Sequence, residues 1–410
     1  MKTSTLRATF LASLAAAFGL AHAGDPLVLD DDVPALVTPT LDSRARYEYA
    51  DFHNGLDVAH AFTLRNRVGL LTKSFGGIQA FAEYEGTLVA DRGAYNPANG
   101  SVIPAPARAV IADPESHELN QAWLSYSDPS GIFSVKGGRQ AINLDGQRFV
   151  GGVAWRQNMQ TFDAATVKWN PTSDIEVFYG FVWQVNRIFG STNLNPVLAD
   201  FGGNSHLVNV KIKNTPLGAL TTYVYSLDLG SDTGNDVFST NTIGAFLTGE
   251  VADGIKYYAE YAYQMDAFEN PRNYTASYAH GSLSASLIDG VTTTVGLEYL
   301  GSDNGFGFQT PLGTNHKFNG FADRFLVTPG TGLSDLYFTA ATTLPFEIKA
   351  AATYHHFWDD GFDVNIADEI DLVMSKSLGN GLTVLGKAAW FFGDTLNDTT
   401  RISMEMNYKF

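Results

Sequence analysis

The chain has 410 residues, no cysteine, 40 glycines and 13% aromatic residues, and only 17% of its residues are charged, against about 25% in an ordinary soluble protein. Its formal charge is −17 and its mean hydropathy is −0.06. These values exclude disulfide scaffolds, cysteine metal centres and thiol nucleophiles, a polytopic helical membrane protein and a nucleic-acid binder, which needs a basic footprint.

Lys2 and Arg7 precede an apolar run from Ala8 to Leu20, and Ala21-His22-Ala23 is an A-x-A cleavage site. Residues 1–23 therefore read as a cleaved export signal and stand outside the fold. The run is shorter than the roughly 18 residues a membrane span needs. Residues 24–40, with Asp25, Asp30, Asp31 and Asp32, read as a periplasmic lead-in. Their acidic run fits a solvated tail better than a calcium site.

From residue 41 to 410 one pattern repeats. Phe62, Leu64, Val68 and Leu70 alternate with Thr63, Arg65, Arg67 and Gly69, and Ile402, Met404, Met406, Tyr408 and Phe410 alternate with Ser403, Glu405, Asn407 and Lys409. Period 2 gives each strand one apolar and one polar face. Such segments begin near residues 41, 60, 78, 117, 132, 162, 174, 205, 218, 238, 255, 273, 291, 334, 346, 368, 382 and 400. Turn signals separate many of them, as in Asp128-Pro129-Ser130-Gly131 and Gly379-Asn380-Gly381. Long connections are expected at 91–116, 187–204 and 301–333.

The expected fold is all-β, a single transmembrane antiparallel barrel of about 18 strands (16–18) over residues 41–410. A secreted sandwich or β-helix would also alternate, but would carry more exposed charge. Aromatic residues such as Tyr47, Tyr49, Trp183, Tyr223, Tyr225, Trp390 and Phe391 crowd strand ends, as interfacial girdles do. The final strand, ending in Phe410, has the form that outer-membrane barrel insertion machinery reads. The expected location is the Gram-negative outer membrane, within outer-membrane lipid and lipopolysaccharide.

A charge facing lipid at mid-membrane costs about 2–4 kcal/mol, so strand charges belong in the lumen. Arg44 and Arg46 share one face, and Arg65 and Arg67 share another. A hairpin centred near residue 55 would set Arg44 near Arg67 and Arg46 near Arg65. Lys168 and Lys387 fall on polar faces as well, as do Glu48, Glu83, Glu85, Glu260, Glu298 and Glu405. Two readings stay open. Arginine forks could bind an anionic solute, or facing Arg and Glu could form a transverse network without a ligand site.

The segment Val135–Thr166 holds Gly137-Gly138-Arg139-Gln140, Leu144-Asp145-Gly146-Gln147-Arg148-Phe149, Trp155-Arg156-Gln157-Asn158 and Thr161-Phe162-Asp163. It resembles the alginate-export family of outer-membrane porins. The resemblance continues in Asn319-Gly320-Phe321-Ala322-Asp323, Tyr354-His355-His356-Phe357 and Glu369-Ile370-Asp371. It implies an 18-stranded monomeric barrel with an arginine-lined constriction that passes an anionic polysaccharide. Arg139, Arg148, Arg156 and Asp163 would lie at or near that constriction, Asp323 on an inward loop, and Glu369 and Asp371 in the lumen.

The expected function is a passive porin for anionic (carboxylate or uronate-type) or small polar solutes. A general or sugar-type diffusion porin is the alternative, and a non-conducting adhesin, anchor or hydrolase barrel is the reading from another class. No enzyme activity, cofactor or metal is expected. The sequence has no GxSxG, P-loop or HExxH. His355 and His356, being adjacent on a strand, would point to opposite faces.

Overall fold

The computed structural model describes residues 36–98, 107–230 and 234–410. The expected signal and most of the expected lead-in lie outside the described residues. The strands, in chain order, are β1 (Val37–Asp51), β2 (Ala59–Thr72), β3 (Ile78–Val89), β4 (Ser116–Ser127), β5 (Phe133–Gln140), β6 (Thr161–Trp169), β7 (Ile175–Asn186), β8 (Asp200–Thr215), β9 (Gly218–Leu227), β10 (Thr240–Ala252), β11 (Ile255–Asp266), β12 (Thr275–Ile288), β13 (Val291–Leu300), β14 (Ser302–Asp303), β15 (Phe306–Gly307), β16 (Leu333–Leu344), β17 (Ile348–Trp358), β18 (Asn365–Gly379), β19 (Leu382–Gly393) and β20 (Thr399–Lys409). All but the two-residue hairpin β14–β15 join one 18-stranded antiparallel sheet. β1 pairs with β20 from Asp42↔Lys409 to Asp51↔Thr400, so the sheet closes and leaves no edge. In lipid only closure satisfies every strand's backbone.

Alternation explains the faces. On β2 Phe62, Val68 and Leu70 are more than half exposed, while Ala61, Thr63 and Arg65 are wholly buried. The lipid face is apolar and the lumen face is polar or small. Short turns close one end of the barrel. At the β18–β19 turn Gly379, Asn380 and Gly381 all have positive φ (85°, 47° and 78°), a conformation Gly and Asn adopt at least cost. Loops at the other end are numbered here by order. L1 is 52–58, L2 90–115, L3 141–160, L4 187–199, L5 228–239 and L7 301–332.

Three expectations shift. β1 starts at Val37, not 41, although it contains Pro39. That first stretch pairs with β2 alone, so the missing Pro N–H faces no neighbour. L3 joins the long connections. Finally, Tyr223, Tyr225 and Phe391 are buried inside the lumen rather than set in an interfacial girdle. The first two pack on Phe149 of L3, with ring centres 5.2 and 6.1 Å away.

Candidate functional site: a constriction built by L3 and L7

L3 enters the lumen and is pinned to the β1 wall by its carbonyls. Arg44 Nη1 donates to Ala154 O at 2.9 Å and Trp155 O at 3.0 Å, and Arg46 Nη2 donates to Trp155 O as well. Each arginine is also held from the next strand. Arg44 Nε donates to Asn407 Oδ1 at 2.7 Å, and Arg46 Nη2 reaches Glu405 Oε1 at 2.5 Å. Arg46 Nη1 donates to Asp113 of L2 at 2.9 Å. Charge-assisted bonds of this kind are about twice as strong as neutral ones.

L7 is pinned to β18 by its amides. Phe321 N–H donates to Asp371 Oδ2 at 2.9 Å and Ala322 N–H to Glu369 Oε1 at 2.7 Å. Gly320 has φ +87°, and a Cβ there would fall 2.4 Å from Glu369 Oε2, so only glycine lets the chain lie this close.

The two loops lock together in the lumen. Arg156 of L3 donates to Glu48 Oε2 on β1 at 3.1 Å and to Asp323 Oδ2 on L7 at 2.7 Å. The Trp155 indole lies flat on the His316 imidazole, with ring centres 4.0 Å apart and planes 1° apart. Lys387 of β19 sits 4.1 Å from the Trp155 ring centre and 4.0 Å from that of Phe321. Its Nζ donates to His316 Nε2 at 2.9 Å. An ammonium can only donate, so Nε2 accepts and the imidazole proton sits on Nδ1, which donates to Asp323 Oδ1 at 2.6 Å. Burial pushes the His316 pKa down to about 3. Burial alone would raise the Asp323 carboxyl, but the His316 N–H, Arg401 and Arg156 outweigh it and hold it well below the usual carboxylate range.

The remaining expected residues fall into two groups. Arg148 of L3 joins the second wall: its Nε lies 2.8 Å from Glu298 Oε1 and its Nη2 donates to Asn319 Oδ1 at 2.9 Å. Arg139 and Asp163 bind each other at 2.7 Å. They lie on the register face that also carries Phe133 and Val135, which is exposed to lipid, so they are not at the constriction. Lys168 is exposed near the turn-side end of β6. The hairpin register also differs from expectation. Ala50 faces Ala59, so Arg44 faces Arg65 and Asp42 faces Arg67. Asp42 pairs with Arg65, and Glu85 with Arg67. Each of the four arginines is paired with a carboxylate and little exposed, so none is presented to a solute. His316, Lys387, Arg401, Glu405 and Asp113 complete the network, and only the polar-face position of Glu405 and Lys387 marked any of them in advance. Among the described residues no His/Asp/Glu group is arranged to hold a metal.

Arg65 invites a direct test. It is wholly buried between two other arginines, and its Nε and Nη1 have no hydrogen-bond partner. Removing one partner of a buried pair is costly when the other is left buried and unpaired, but Asp42 is partly exposed and keeps Lys409 at 3.0 Å, and the substitution relieves the crowding of Arg65 by Arg44 and Arg67. Arg65→Met should therefore keep or raise the urea midpoint of the detergent-folded barrel. A loss of about 3 kcal/mol or more would show that the Asp42 pair is needed.

The residues of L7 from 315 to 323 separate three cavities. On the loop side lies one of about 490 Å³, reached by Trp155, His316 and Asp323. On the turn side lie two of about 330 and 210 Å³, lined by Phe149, Glu260 and Phe318 and by Phe321, Asp335 and Asp371.

Residues 39–200 match the family model described as alginate export. This part of the barrel, β1 to β7 with L3, is similar to the alginate-export family. No curated protein matches the chain at a significant level. Solved structures share the fold. OccAB4 of Acinetobacter baumannii is 11% identical with a TM-score of 0.66, covering 93% of this chain and 100% of its own. A BenF-like porin of Pseudomonas fluorescens Pf-5 is 12% identical with a TM-score of 0.69, covering 91% and 98%. OpdL of Pseudomonas aeruginosa is 14% identical with a TM-score of 0.64, covering 91% and 98%. The fold is thus that of the outer-membrane porins. The matched residues include Arg44, Arg46, Arg148 and Arg156, while Asp323, Lys387, Arg401 and Glu405 lie beyond them.

Proposed function

We propose that the barrel is a passive outer-membrane channel for small polar solutes, with its bore set by L3 and L7. The observation that carries this reading is the L3–L7 junction, which crosses the lumen with cavities on both sides. At this junction the arginines clamp loops; they are not free to bind solute. Their charge is offset locally by Asp42, Glu48, Glu85, Asp113, Asp323 and Glu405. The sector β13–β18 presents Glu298, Asp335, Glu369 and Asp371, with Arg148 on Glu298 and Arg324 of L7 near Glu369 as its guanidiniums. A solute therefore meets a transverse field between a compensated basic wall and an acidic one. Preference for small anions over small cations is weak in this arrangement. Passage of a polymer requires L7 to leave the lumen.

The test is single-channel conductance and reversal potential in a planar bilayer under a salt gradient. The expected result is measurable conductance with weak ion selectivity that Arg65→Met leaves unchanged. Strong anion selectivity lost in that variant would restore the arginine constriction as a solute site. Absence of conductance would overturn the channel.

A further inference from the structure

L4 and L5 face L3 and L7 across the loop-side cavity of about 490 Å³. Its wall is largely apolar, with Phe189, Leu198, Phe201, Phe238 and Val327 among its lining, and Arg187 projects into it. The arginines of the constriction each have a carboxylate within ion-pair distance. Arg187 is different. Its Nη1 donates to the Val197 carbonyl at 2.8 Å, and its guanidinium carbon lies 4.2 Å from the Phe201 ring centre and 5.3 Å from that of Phe189. Among the described residues no carboxylate stands within ion-pair distance of it. Burial pushes its pKa down to about 10, and Asp200 opposes this only through space.

A cation in apolar surroundings is costly unless an anion pairs with it. Ligand sites have this composition: concave, mostly apolar, with a few placed polar groups. A guanidinium fork offers two parallel N–H donors to an oxyanion. The floor offers no competing charge, because Arg156 and Asp323 satisfy each other and His316 is held neutral. We infer that this loop-side cavity binds an amphipathic anion, with its oxyanion group on Arg187 and its apolar body against Phe201, Phe238 and Leu198. The inference rests on the channel reading and gives that channel a solute class at its loop-side mouth.

The probe is naphthalene-2-sulfonate, whose charge does not change with pH in the working range. Methanesulfonate carries the head without the body, and naphthalene-2-sulfonamide the body without the charge. Added from the loop side in a planar bilayer, naphthalene-2-sulfonate should block ion current in proportion to occupancy. Both controls should need about tenfold higher concentration or more, as should the sulfonate against Arg187→Gln, since hydrogen bonds to charged groups are worth that factor. Arg187→Lys should retain part of the block. Phe201→Leu should weaken the naphthalene compound without changing the response to methanesulfonate, which tests the cavity independently of the arginine. Equal block of Arg187→Gln and the unaltered protein would overturn the site, as would methanesulfonate acting as well as the naphthalene compound. Equilibrium titration of the detergent-folded barrel separates the two readings. Arginine-dependent binding without any current would retain the site and remove the channel. Current without arginine-dependent binding would do the reverse.

Discussion

Arg156→Ala should open the bore. The side chain is almost fully buried and holds three parts of the molecule together: L3, which carries it, Glu48 on β1 and Asp323 on L7. Removing one partner of a buried ion network leaves the others uncompensated, at a cost of about 3–5 kcal/mol. The barrel does not bear that cost through its strands, whose backbone pairing is independent of this side chain. The loops bear it. Glu48 and Asp323 then share only Arg401, and L7 loses its ion pair to L3, keeping the Trp155–His316 stack and the Arg148–Asn319 bond. Single-channel conductance should rise severalfold and become noisy, and limited proteolysis should cut L3 or L7 in the folded barrel. Arg156→Lys keeps the charge but lacks the fork that reaches both carboxylates, so it should fall between. Unchanged conductance together with unchanged protease resistance would show that the L3–L7 junction does not set the bore.

Acid should release L7 by another route. Burial holds His316 neutral, with its pKa pushed down to about 3, and an undocked histidine has the ordinary value of 6.5. Between those values the undocked loop binds a proton that the docked loop refuses. Docking therefore weakens as pH falls through that window and is fully supported only above it. Burial is the main cause of the refusal, Asp323 opposes it, and the neighbouring cations add to it. Lys387 occupies Nε2 and Arg156 lies across Asp323, so an imidazolium would face two cations and one carboxylate. Conductance recorded from pH 7 down to 4 should therefore increase. His316→Gln removes the titrating ring, and its conductance should be flat over the same range. If that variant keeps the full pH response, another group is responsible.

The strand plan was readable because period 2 is a local property. The expected starts for β3, β9, β11, β13 and β19 coincide with the observed ones, and the lumen positions of Arg44, Arg46, Glu48 and Glu405 follow from parity alone. Which arginine meets which acid was not readable. Register depends on where a hairpin turns, and moving L1's centre by one residue shifts every cross-strand pair by two, which set Arg44 opposite Arg65 rather than Arg67. The contacts of Arg46 and Arg44 with Glu405 span the closing seam, and no local pattern encodes that pairing. Tyr223, Tyr225 and Phe391 were assigned to the lipid interface because an aromatic ring suits either an apolar outer face or a lumen packed by a loop. The stack of Trp155 on His316 joins two loops that have no period at all.

The order of assembly follows from where the clamps on L3 come from. L3 is held by Arg44 and Arg46 of β1, and these are held in turn by Asn407 and Glu405 of β20. The first and last strands meet only when the cylinder shuts. Before that moment half of the grip on L3 does not exist, so the narrow passage is the last part of the protein to form. Pairing β1 with β20 therefore closes the wall and completes the grip on L3 in one step.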